Sequence, residues 1–370
     1  MHSSDLTGGR LRSRRDCGIW PGVSADRLTI DDVAREAGVA RVTVSRVLNG
    51  DAGVRDQTRA RVREAIAKLG YSVNHQARAL ASGGARRIIL FHAGNPDREP
   101  NSYYDSGLEL GALRACSARG LDLASRTIDP DVPDLLDRFS AIVASERPSG
   151  VILPPPLCDN PDLIARIEEM SVPVAGISSS VAGRLPNVGI DDYAAGRAIA
   201  RHLLDLGHRR IGFLSGPANH RSAATRLDGM KDELRADGLD LTWAGEGDFT
   251  FKAGIDNANQ LIADGTSISA LACANDDMAA GAMLTFHRAG YDLPADLSIT
   301  GFDDTPVSQI VWPPLTTIRQ PIQSYGELAV GMVTANGELN AGTNLIPFEL
   351  IVRESTATVA SVPQSRGNPA

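Results

Sequence analysis

The stretch AREAGVARVTVSRVLNG, residues 34–50, is compatible with two opposite local structures. Its central VTVS alternates apolar and polar residues and is rich in β-branched side chains, so propensity alone favours a strand. Val44, Val47 and Leu48, however, recur at i, i+3 and i+4, which is the spacing of one helix face. In a strand, Arg46 would point where an apolar side chain is needed. We therefore predict a helix.

Another helix is predicted immediately before this one. It begins at Thr29, because TIDD resembles an N-terminal capping box with Asp in place of the usual Glu or Gln. Val33, Ala34 and Ala37 then fall on one face, and Gly38 ends the helix because glycine tolerates a positive φ. Two short helices joined by a tight, glycine-containing turn form a helix-turn-helix unit.

The second helix presents Arg41, Val42, Ser45 and Arg46 to solvent. This face suits the major groove of DNA, because arginine makes bidentate hydrogen bonds to guanine and valine can pack on a thymine methyl group. The alternative is an ordinary helical hairpin whose charged face is only solvated.

A third helix is predicted within residues 58–70, TRARVREAIAKLG. Val62, Ile66 and Leu69 lie at i, i+4 and i+7 and close a small core, and Gly70 ends the helix. Its basic residues could contact DNA phosphates, but for most of them we expect only that they face solvent on the outer side of the helix. They are Arg59, Arg61, Arg63 and Lys68.

The net charge of −8 on the 370-residue chain is unevenly distributed. Residues 1–82 carry about +5 and the remainder about −13, which indicates a small module that binds a polyanion, or else a merely arginine-rich tail. No apolar run approaches the roughly 18 residues of a membrane span, and no secretory signal is predicted. Four scattered cysteines without a C-x-x-C pair favour reduced thiols in a cytoplasmic protein and argue against a metal site.

The segments LTIDDVAREAGVARVTVSRVLNG and TRARVREAIAKLGYSVNHQARALASG resemble the LacI/GalR family of bacterial transcription repressors, and the resemblance covers roughly residues 28–357. It implies that residues 74–81 form a hinge helix that folds on operator binding, with Leu80 in the minor groove. Such a wedge unstacks a base step and kinks the duplex; alternatively, Leu80 packs on its dimer mate. The implied DNA contacts are Thr29, Arg41, Val42, Thr43, Ser45, Arg46, Asn49, Asn74, Gln76, Ala77 and Leu80.

Three positions depart from the family pattern. Ala40 replaces the serine cap of the second helix, at a cost of about 1 kcal/mol. Arg55 replaces the serine cap of the third helix, so Asp56 or Thr58 is expected to cap it instead. Val73 replaces the proline common before the hinge, so whether the hinge folds only on DNA stays open.

From Ile88 onward, short apolar runs alternate with amphipathic helical segments, which is typical of parallel sheets with helices on both faces. The runs include RIILFH, GVILP, VPVAGI, RIGFLSGP, ALACAN and LSITGFDD. A break near PNVGIDD indicates two similar subdomains. With the resemblance, we expect an N-terminal all-α helix-turn-helix DNA-binding domain with hinge helix, plus an α/β periplasmic-binding-protein-like core of two doubly wound parallel-sheet subdomains.

The predicted core has its subdomain boundary near residues 188–190 and a return crossing near residues 313–321. The predicted segments of the chain are a disordered extension or misassigned start (1–27), the helix-turn-helix domain (28–73), the hinge helix and linker (74–86), the effector-binding and dimerisation core (87–357) and a disordered tail (358–370).

Polar residues follow three of the predicted core strands, where ligands of open α/β sheets bind. Asn275 and Asp303 end two strands, and Ser222 and Arg226 follow a third. The family motifs RLDG, CANDD and GFDDT imply that Arg226, Asn275 and Asp303 grip the effector.

Two aromatic residues complete the predicted effector site. Phe249 matches the position of a stacking aromatic, and Tyr104, placed in the loop after the first strand, is the candidate from the other subdomain. Such a set suits a polyhydroxylated ligand, because Asp303 accepts hydrogen bonds from hydroxyls, Arg226 donates them and Phe249 covers an apolar sugar face. Alternatively, Arg226 and Asp303 form a salt bridge between subdomains and Phe249 belongs to the core.

Other polar residues of the core are expected to be structural. His202 and His208 have no third ligand at metal spacing. Gln320 is placed on the returning segment PPLTTIRQP without an assigned role. Five carboxylates are expected to be helix caps or structural groups rather than an acid–base dyad; they are Asp191, Asp192, Asp276, Asp277 and Asp304.

We therefore expect a dimeric, sequence-specific repressor of sugar-utilisation genes, released from a palindromic operator by a mono- or disaccharide. No cofactor, metal or catalysis is expected, since no nucleophile–base or metal constellation appears. A purine-like corepressor that strengthens DNA binding is the first alternative. A solute-binding transport protein is a remote one, because the helix-turn-helix argues against it.

Overall fold

The computed structural model describes residues 29–48, 53–69, 87–94, 102–179, 184–335 and 342–359. Contacts divide the chain into two compact units, Met1–Ala81 and Ser82–Ala370. None of the helices in the described ranges combines the length and apolar character that a membrane span requires. The predicted N-terminal extension and hinge lie outside those ranges, and so do the predicted DNA contacts Asn49, Asn74, Gln76, Ala77 and Leu80.

The first unit contains three described helices: α1 (Ile30–Ala37), α2 (Arg41–Leu48) and α3 (Asp56–Leu69). The VTVS stretch is helical, as predicted. Val33, Val44 and Val62, one from each helix, are fully buried against one another. Burying such a side chain contributes about 1.5–3 kcal/mol, which exceeds the few tenths of a kcal/mol by which β-branching disfavours a helix.

The ends of α1 are closed by specific hydrogen bonds. The Asp32 carboxylate accepts from the N–H of Thr29 at 2.8 Å and from its hydroxyl at 2.7 Å, and Gly38 ends the helix with φ at 60°. The Arg61 guanidinium donates to the carbonyls of Ala37 at 2.5 Å and Gly38 at 3.2 Å. The structure therefore corrects the prediction for Arg61, which satisfies the carbonyl end of α1 rather than only solvating α3.

The first half of the second unit is built on a six-stranded parallel sheet. The central strand β3 is buried throughout, and β1 along all but its two end residues, because helices cover both faces of the sheet. The strands are β1 (Arg87–Ala93), β2 (Asp122–Ile128), β3 (Gly150–Leu153), β4 (Val174–Ile177), β5 (Asn187–Gly189) and β11 (Thr343–Leu345), in the order β11-β5-β4-β3-β1-β2. The helices are α4 (Tyr103–Arg119), α5 (Leu135–Glu146), α6 (Pro161–Met170) and α12 (Ile322–Thr334).

The second half repeats this architecture on a four-stranded parallel sheet. Its strands are β6 (Ile211–Ser215), β7 (Trp243–Glu246), β8 (Ala270–Cys273) and β9 (Ser298–Thr300), in the order β7-β6-β8-β9. Its helices are α7 (Asp192–Asp205), α8 (Arg221–Ala236), α9 (Phe251–Ala263), α10 (Asp276–Arg288) and the short α11 (Val307–Ile310). An antiparallel pair, β10 (Thr317–Arg319) and β12 (Glu349–Ile351), completes it.

Within the described ranges, the chain passes between the two halves three times. It crosses between β5 and α7, between β10 and α12, and between β11 and β12. At the end of the last described range, the N–H of Val359 donates to the carbonyl of Leu206 at 3.0 Å. Residues 358 and 359 therefore belong to the core rather than to the predicted tail.

Helices α7 and α8 cross with their backbones in contact. A Cβ added to Gly196 of α7 would overlap the carbonyl oxygen of Arg226, and one added to Gly229 of α8 would overlap that of Tyr193. No side chain can be accommodated there without moving one helix away from the other. The crossing therefore requires glycine at both positions.

We predict that Gly196→Ala lowers the free energy of unfolding by about 2–3 kcal/mol, as overpacking against backbone does. The matched control is Gly331→Ala in α12, where the nearest atom to an added Cβ is the Arg119 guanidinium at 3.6 Å. That change should be neutral or stabilise the protein by up to about 1 kcal/mol through helix propensity. Urea denaturation of both variants measures the difference, and equal stabilities would contradict the role of the crossing.

Candidate functional site

The outward face of α2 carries the predicted DNA-reading residues. Arg41, Val42 and Arg46 are exposed, with Val42 at 62%, whereas Thr43 and Ser45 are half-buried. Arg41 lies 3.6 Å from the Asp31 carboxylate. An apolar side chain this exposed on a short helix, between two arginines, has the chemistry needed to contact base edges.

The second candidate site is a buried polar cluster in the core, with Arg226 at its centre. Arg226 is 6% exposed, and its Nε donates to Oδ1 of Asp192 at 2.7 Å. Nη1 donates to the carbonyl of Ala274 at 2.9 Å, and the guanidinium lies 3.7 Å from the ring centroid of Phe302. Among the described residues no acceptor is hydrogen-bonded to Nη2. The arginine is thus rigidly held with one donor group left for a ligand.

Asp303 lies on the segment that follows β9, with Gln320 and Tyr325 behind it. Gln320 Nε2 donates to Oδ1 of Asp303 at 2.6 Å, and the Tyr325 hydroxyl donates to Oε1 of Gln320 at 3.0 Å. Asp303 has φ at 108°, a strained value for a residue with a side chain. In the part of the chain that the structure describes, the carboxylate paired with Arg226 is Asp192, so the predicted alternative of an Arg226–Asp303 salt bridge is wrong.

Tyr104 reaches this cluster from the first half of the core. It lies in the first turn of α4, not in a loop as predicted, because Ser102 caps that helix by accepting from the N–H of Asp105. Burial raises the pKa of the Tyr104 hydroxyl well above its usual value, and the negative charge of Asp303 raises it further. The charge of Asp303 thus acts on Tyr104 across the two halves.

Three other predicted residues have protein partners already. The Asn275 side chain accepts from the N–H of Met278 at 3.0 Å, which caps α10, and donates to the carbonyl of Phe249 at 2.8 Å. The Ser222 hydroxyl donates to the carbonyl of Ser178 in the first half at 3.1 Å. Phe249 has φ at 66°. Asn275 thus positions Phe249, and Ser222 joins the two halves.

Most of the remaining polar groups are structural, as expected. Asp191 caps α7 by accepting from Ala194, and Asp276 accepts from Thr305 and Thr317. His208 contacts the hydroxyl of Ser269 and the carbonyl of Ala357. Within the described ranges, no group of three or more His, Cys, Asp or Glu is arranged to hold a metal ion.

Four residues of the cluster were not predicted as site residues. Asp192 was expected to be a structural carboxylate, and Gln320 was placed only on the returning segment. Nothing in the sequence pattern pointed to Phe302 or Tyr325 as site residues. The one sequence signal for Asp192 was the pair of adjacent acids in GIDDY, Asp191 and Asp192. Because Asp191 alone suffices to cap α7, Asp192 is left for another partner.

Burial raises the pKa of Asp303 to about 7, against the lowering effects of Arg226 and of the Gln320 hydrogen bond. A carboxyl group with a raised folded pKa destabilises the fold once it must ionise, so this cost is absent below about pH 4 and complete above about pH 7. We therefore predict that Asp303→Asn gains stability relative to the unsubstituted protein as pH rises from 5 to 8. Thermal melts of both proteins over that range test this, and a constant difference in Tm would contradict it.

Comparison with known proteins identifies both units. Residues 29–74 match the family described as bacterial regulatory proteins, lacI family, and residues 200–356 match a periplasmic binding protein-like domain. Relatives include the HTH-type transcriptional regulator CelR of Thermobifida fusca, 31% identical over 89% of this chain and 98% of the relative. The lactose operon repressor of Escherichia coli (strain K12) is 32% identical over 89% of this chain and 91% of its own length.

Solved structures of such regulators have the same fold. A transcriptional regulator CelR–cellobiose complex has a TM-score of 0.66 at 29% identity and covers 89% of this chain and 100% of its own. A lac repressor dimer bound to operator and the anti-inducer ONPF has a TM-score of 0.72 at 29% identity, over 89% and 99%. The chain therefore belongs to the LacI family of bacterial transcriptional regulators, with a helix-turn-helix N-terminus and a periplasmic-binding-protein-like α/β core of parallel sheets.

Proposed function

We propose that the protein is a cytoplasmic repressor of sugar-utilisation genes that leaves its operator when a mono- or disaccharide enters the core. The observation that carries this proposal is the buried polar cluster around Arg226 and Asp303, at the carboxyl ends of strands in a chain that also has a helix-turn-helix. Relatives named as lactose and ribose operon repressors support it, and so does a related regulator solved with cellobiose. The site binds its effector and catalyses no reaction.

The proposed sugar contacts are Arg226, Asp303 and Tyr104. Nη2 of Arg226 and Oδ2 of Asp303 have no hydrogen-bond partner among the described residues, so one donor group and one acceptor are left for neighbouring hydroxyls. Phe249 offers an aromatic surface, and Asn275 and Ser222 act by positioning rather than by direct contact. The same aromatic surface would suit a flat purine, which is why corepression is kept as the second candidate.

Effector binding is proposed to act through contacts between the two halves of the core. Ser222 donates to the Ser178 carbonyl, and Asn219 Nδ2 donates to Oδ1 of Asp131 at 3.3 Å. A ligand that bonds to Tyr104 on one half and Arg226 on the other favours whichever arrangement of the halves suits it best. The fraction of protein in the DNA-binding form then falls. The size of the fall depends on how much more tightly the ligand binds the other arrangement of the halves.

DNA binding is proposed to use the outward face of α2 and the hinge. The predicted contacts from Arg41 to Arg46 lie in α2, and Thr29 is the residue directly before α1. Those from Asn49 to Leu80 remain predictions from the family resemblance. Arg41 and Arg46 are proposed to read base edges, with Val42 against a thymine methyl group. Thr29 lies at the N-terminus of α1, and helix N-termini suit phosphate contacts.

A second copy of the chain is proposed to pack on the exposed end of α11. Ile310 and Trp312 are each 74% exposed, which is unusual for side chains so large and apolar. The Trp312 carbonyl is held by the His287 ring at 2.8 Å, so this surface is fixed. A relative is solved as a dimer on its operator, and a dimer reads a palindromic site by its two-fold symmetry.

The function is tested by selecting an operator from random DNA with the full chain, then adding cellobiose, lactose, ribose or guanine. We expect one sugar to release the DNA. Asp303→Asn should keep the operator affinity and lose at least about tenfold in sugar response, because a charge-assisted hydrogen bond is weakened. Asp264→Asn, on the exposed surface, is the control. Tighter operator binding with guanine would establish corepression instead, and no operator would rule out both functions.

The dimer surface is tested with Ile310→Asp/Trp312→Asp. Two charges in an apolar interface should shift the protein to monomer and weaken binding to a full palindrome more than to a half-site. Val352→Asp, on a side chain that is 57% exposed elsewhere in the core, is the control. Sedimentation velocity measures the molecular mass, and an unchanged dimer in the double variant would place the interface on another face.

A further inference from the structure

His220 lies directly before α8, two turns from Arg226, yet its side chain does not cap the helix. Its backbone is fixed by hydrogen bonds, from its N–H to the Pro217 carbonyl at 2.9 Å and from the Ala224 N–H to its own carbonyl at 3.2 Å. The imidazole ring instead packs edge-on against Phe249, with ring centroids 4.8 Å apart and planes at 74°. The ring is thus held against the aromatic wall of the effector site.

The Nδ1 atom of His220 is buried without a hydrogen-bond partner among the described residues. Burial and, to a lesser extent, the positive charge of Arg226 lower the pKa of the ring to about 3, so the imidazole is neutral at physiological pH. A neutral imidazole offers one N–H donor and one lone pair. Buried polar atoms are nearly always paired, and an exception inside a candidate ligand site indicates that a ligand supplies the partner.

The surroundings keep the His220 ring from turning elsewhere. Phe249 is fixed by the Asn275 bond to its carbonyl, and its ring lies so close to Gly216 that an added Cβ there would overlap it. The neighbouring Asn219 is bonded to Asp131 of the other half. His220 therefore occupies a rigid corner, next to a residue that spans the two halves.

We infer that Nδ1 of His220 is the atom by which the protein reads one hydroxyl group of its effector, and so determines which sugar it accepts. This inference rests on the proposed function. A packing role alone does not account for a histidine here, because phenylalanine would fill the same space against Phe249 without burying an unpaired nitrogen. Discrimination follows because a sugar lacking that hydroxyl leaves the nitrogen unpaired.

The test compares His220→Phe, which keeps the ring, with His220→Asn, whose amide lies where Nδ1 was. Titration calorimetry with whichever of cellobiose, lactose and ribose binds should show about tenfold weaker binding for His220→Phe and near-normal binding for His220→Asn. The monodeoxy analogues of that sugar identify the hydroxyl. One of them should bind the unsubstituted protein about tenfold more weakly than the parent sugar, with no further loss in His220→Phe.

Stability without ligand provides an independent readout. His220→Phe should melt at the same or a higher temperature than the unsubstituted protein, because no protein group bonds to the nitrogen. His202→Phe is the control, since it removes the bond of that ring to the Thr356 hydroxyl at 3.0 Å, and it should lower Tm while leaving sugar affinity unchanged.

Three outcomes would overturn the inference. Equal sugar affinity in His220→Phe and the unsubstituted protein would mean that Nδ1 contacts water and makes no hydrogen bond to the sugar. A clear loss of Tm in ligand-free His220→Phe would mean that the nitrogen has a structural role. If none of the sugars binds the unsubstituted protein, the proposed function fails and the inference fails with it.

Discussion

The backbone contact between α7 and α8 is the constraint on which the polar cluster depends. Gly196 and Gly229 let the two helices approach until each glycine touches a carbonyl of the other. Asp192 lies one turn before Gly196, and this approach brings it within 2.7 Å of Arg226. The arginine then reaches the end of β8 through Ala274. A side chain at the crossing would separate the helices and leave two buried charges unpaired, which is strongly destabilising.

The same crossing occurs twice more, in α4 with α12 and in α9 with α10. In each pair, the glycine of one helix lies against a carbonyl three residues before the glycine of the other. Each crossing adjoins residues of the cluster, since α4 begins beside Tyr104 and α10 begins after Asn275. Three helix pairs with backbones in close contact thus position residues that are proposed to bind the effector. The pairs are Gly111 with Gly326, Gly196 with Gly229, and Gly254 with Gly281.

The cluster around Arg226 contains groups that cost stability. Asp303 combines a left-handed backbone with a buried carboxyl group, and His220 buries an unpaired nitrogen. The buried Asp276, by contrast, is satisfied by two threonines. Departures of this kind from the usual rules of folding are typical of functional sites.

The amino-acid sequence alone determined the helix-turn-helix and the central strands of both sheets. Apolar spacing and Gly38 predict α1 and α2 because those local signals agree with the tertiary packing. Buried strands such as β1 are continuous apolar runs, whereas the edge strands β2 and β7 are half-exposed and gave no such pattern. The motifs also pointed to Arg226 and Asp303.

The tertiary structure decided which groups those two residues contact. Asp192 is 34 residues from Arg226 in sequence, and Gln320 is 17 from Asp303. Tyr104 comes from a helix that the sequence did not place, and both polar atoms of the Asn275 side chain are used within the protein. Such pairings follow from helix crossings and chain returns rather than from neighbouring residues, so a single sequence carries no local signal for them.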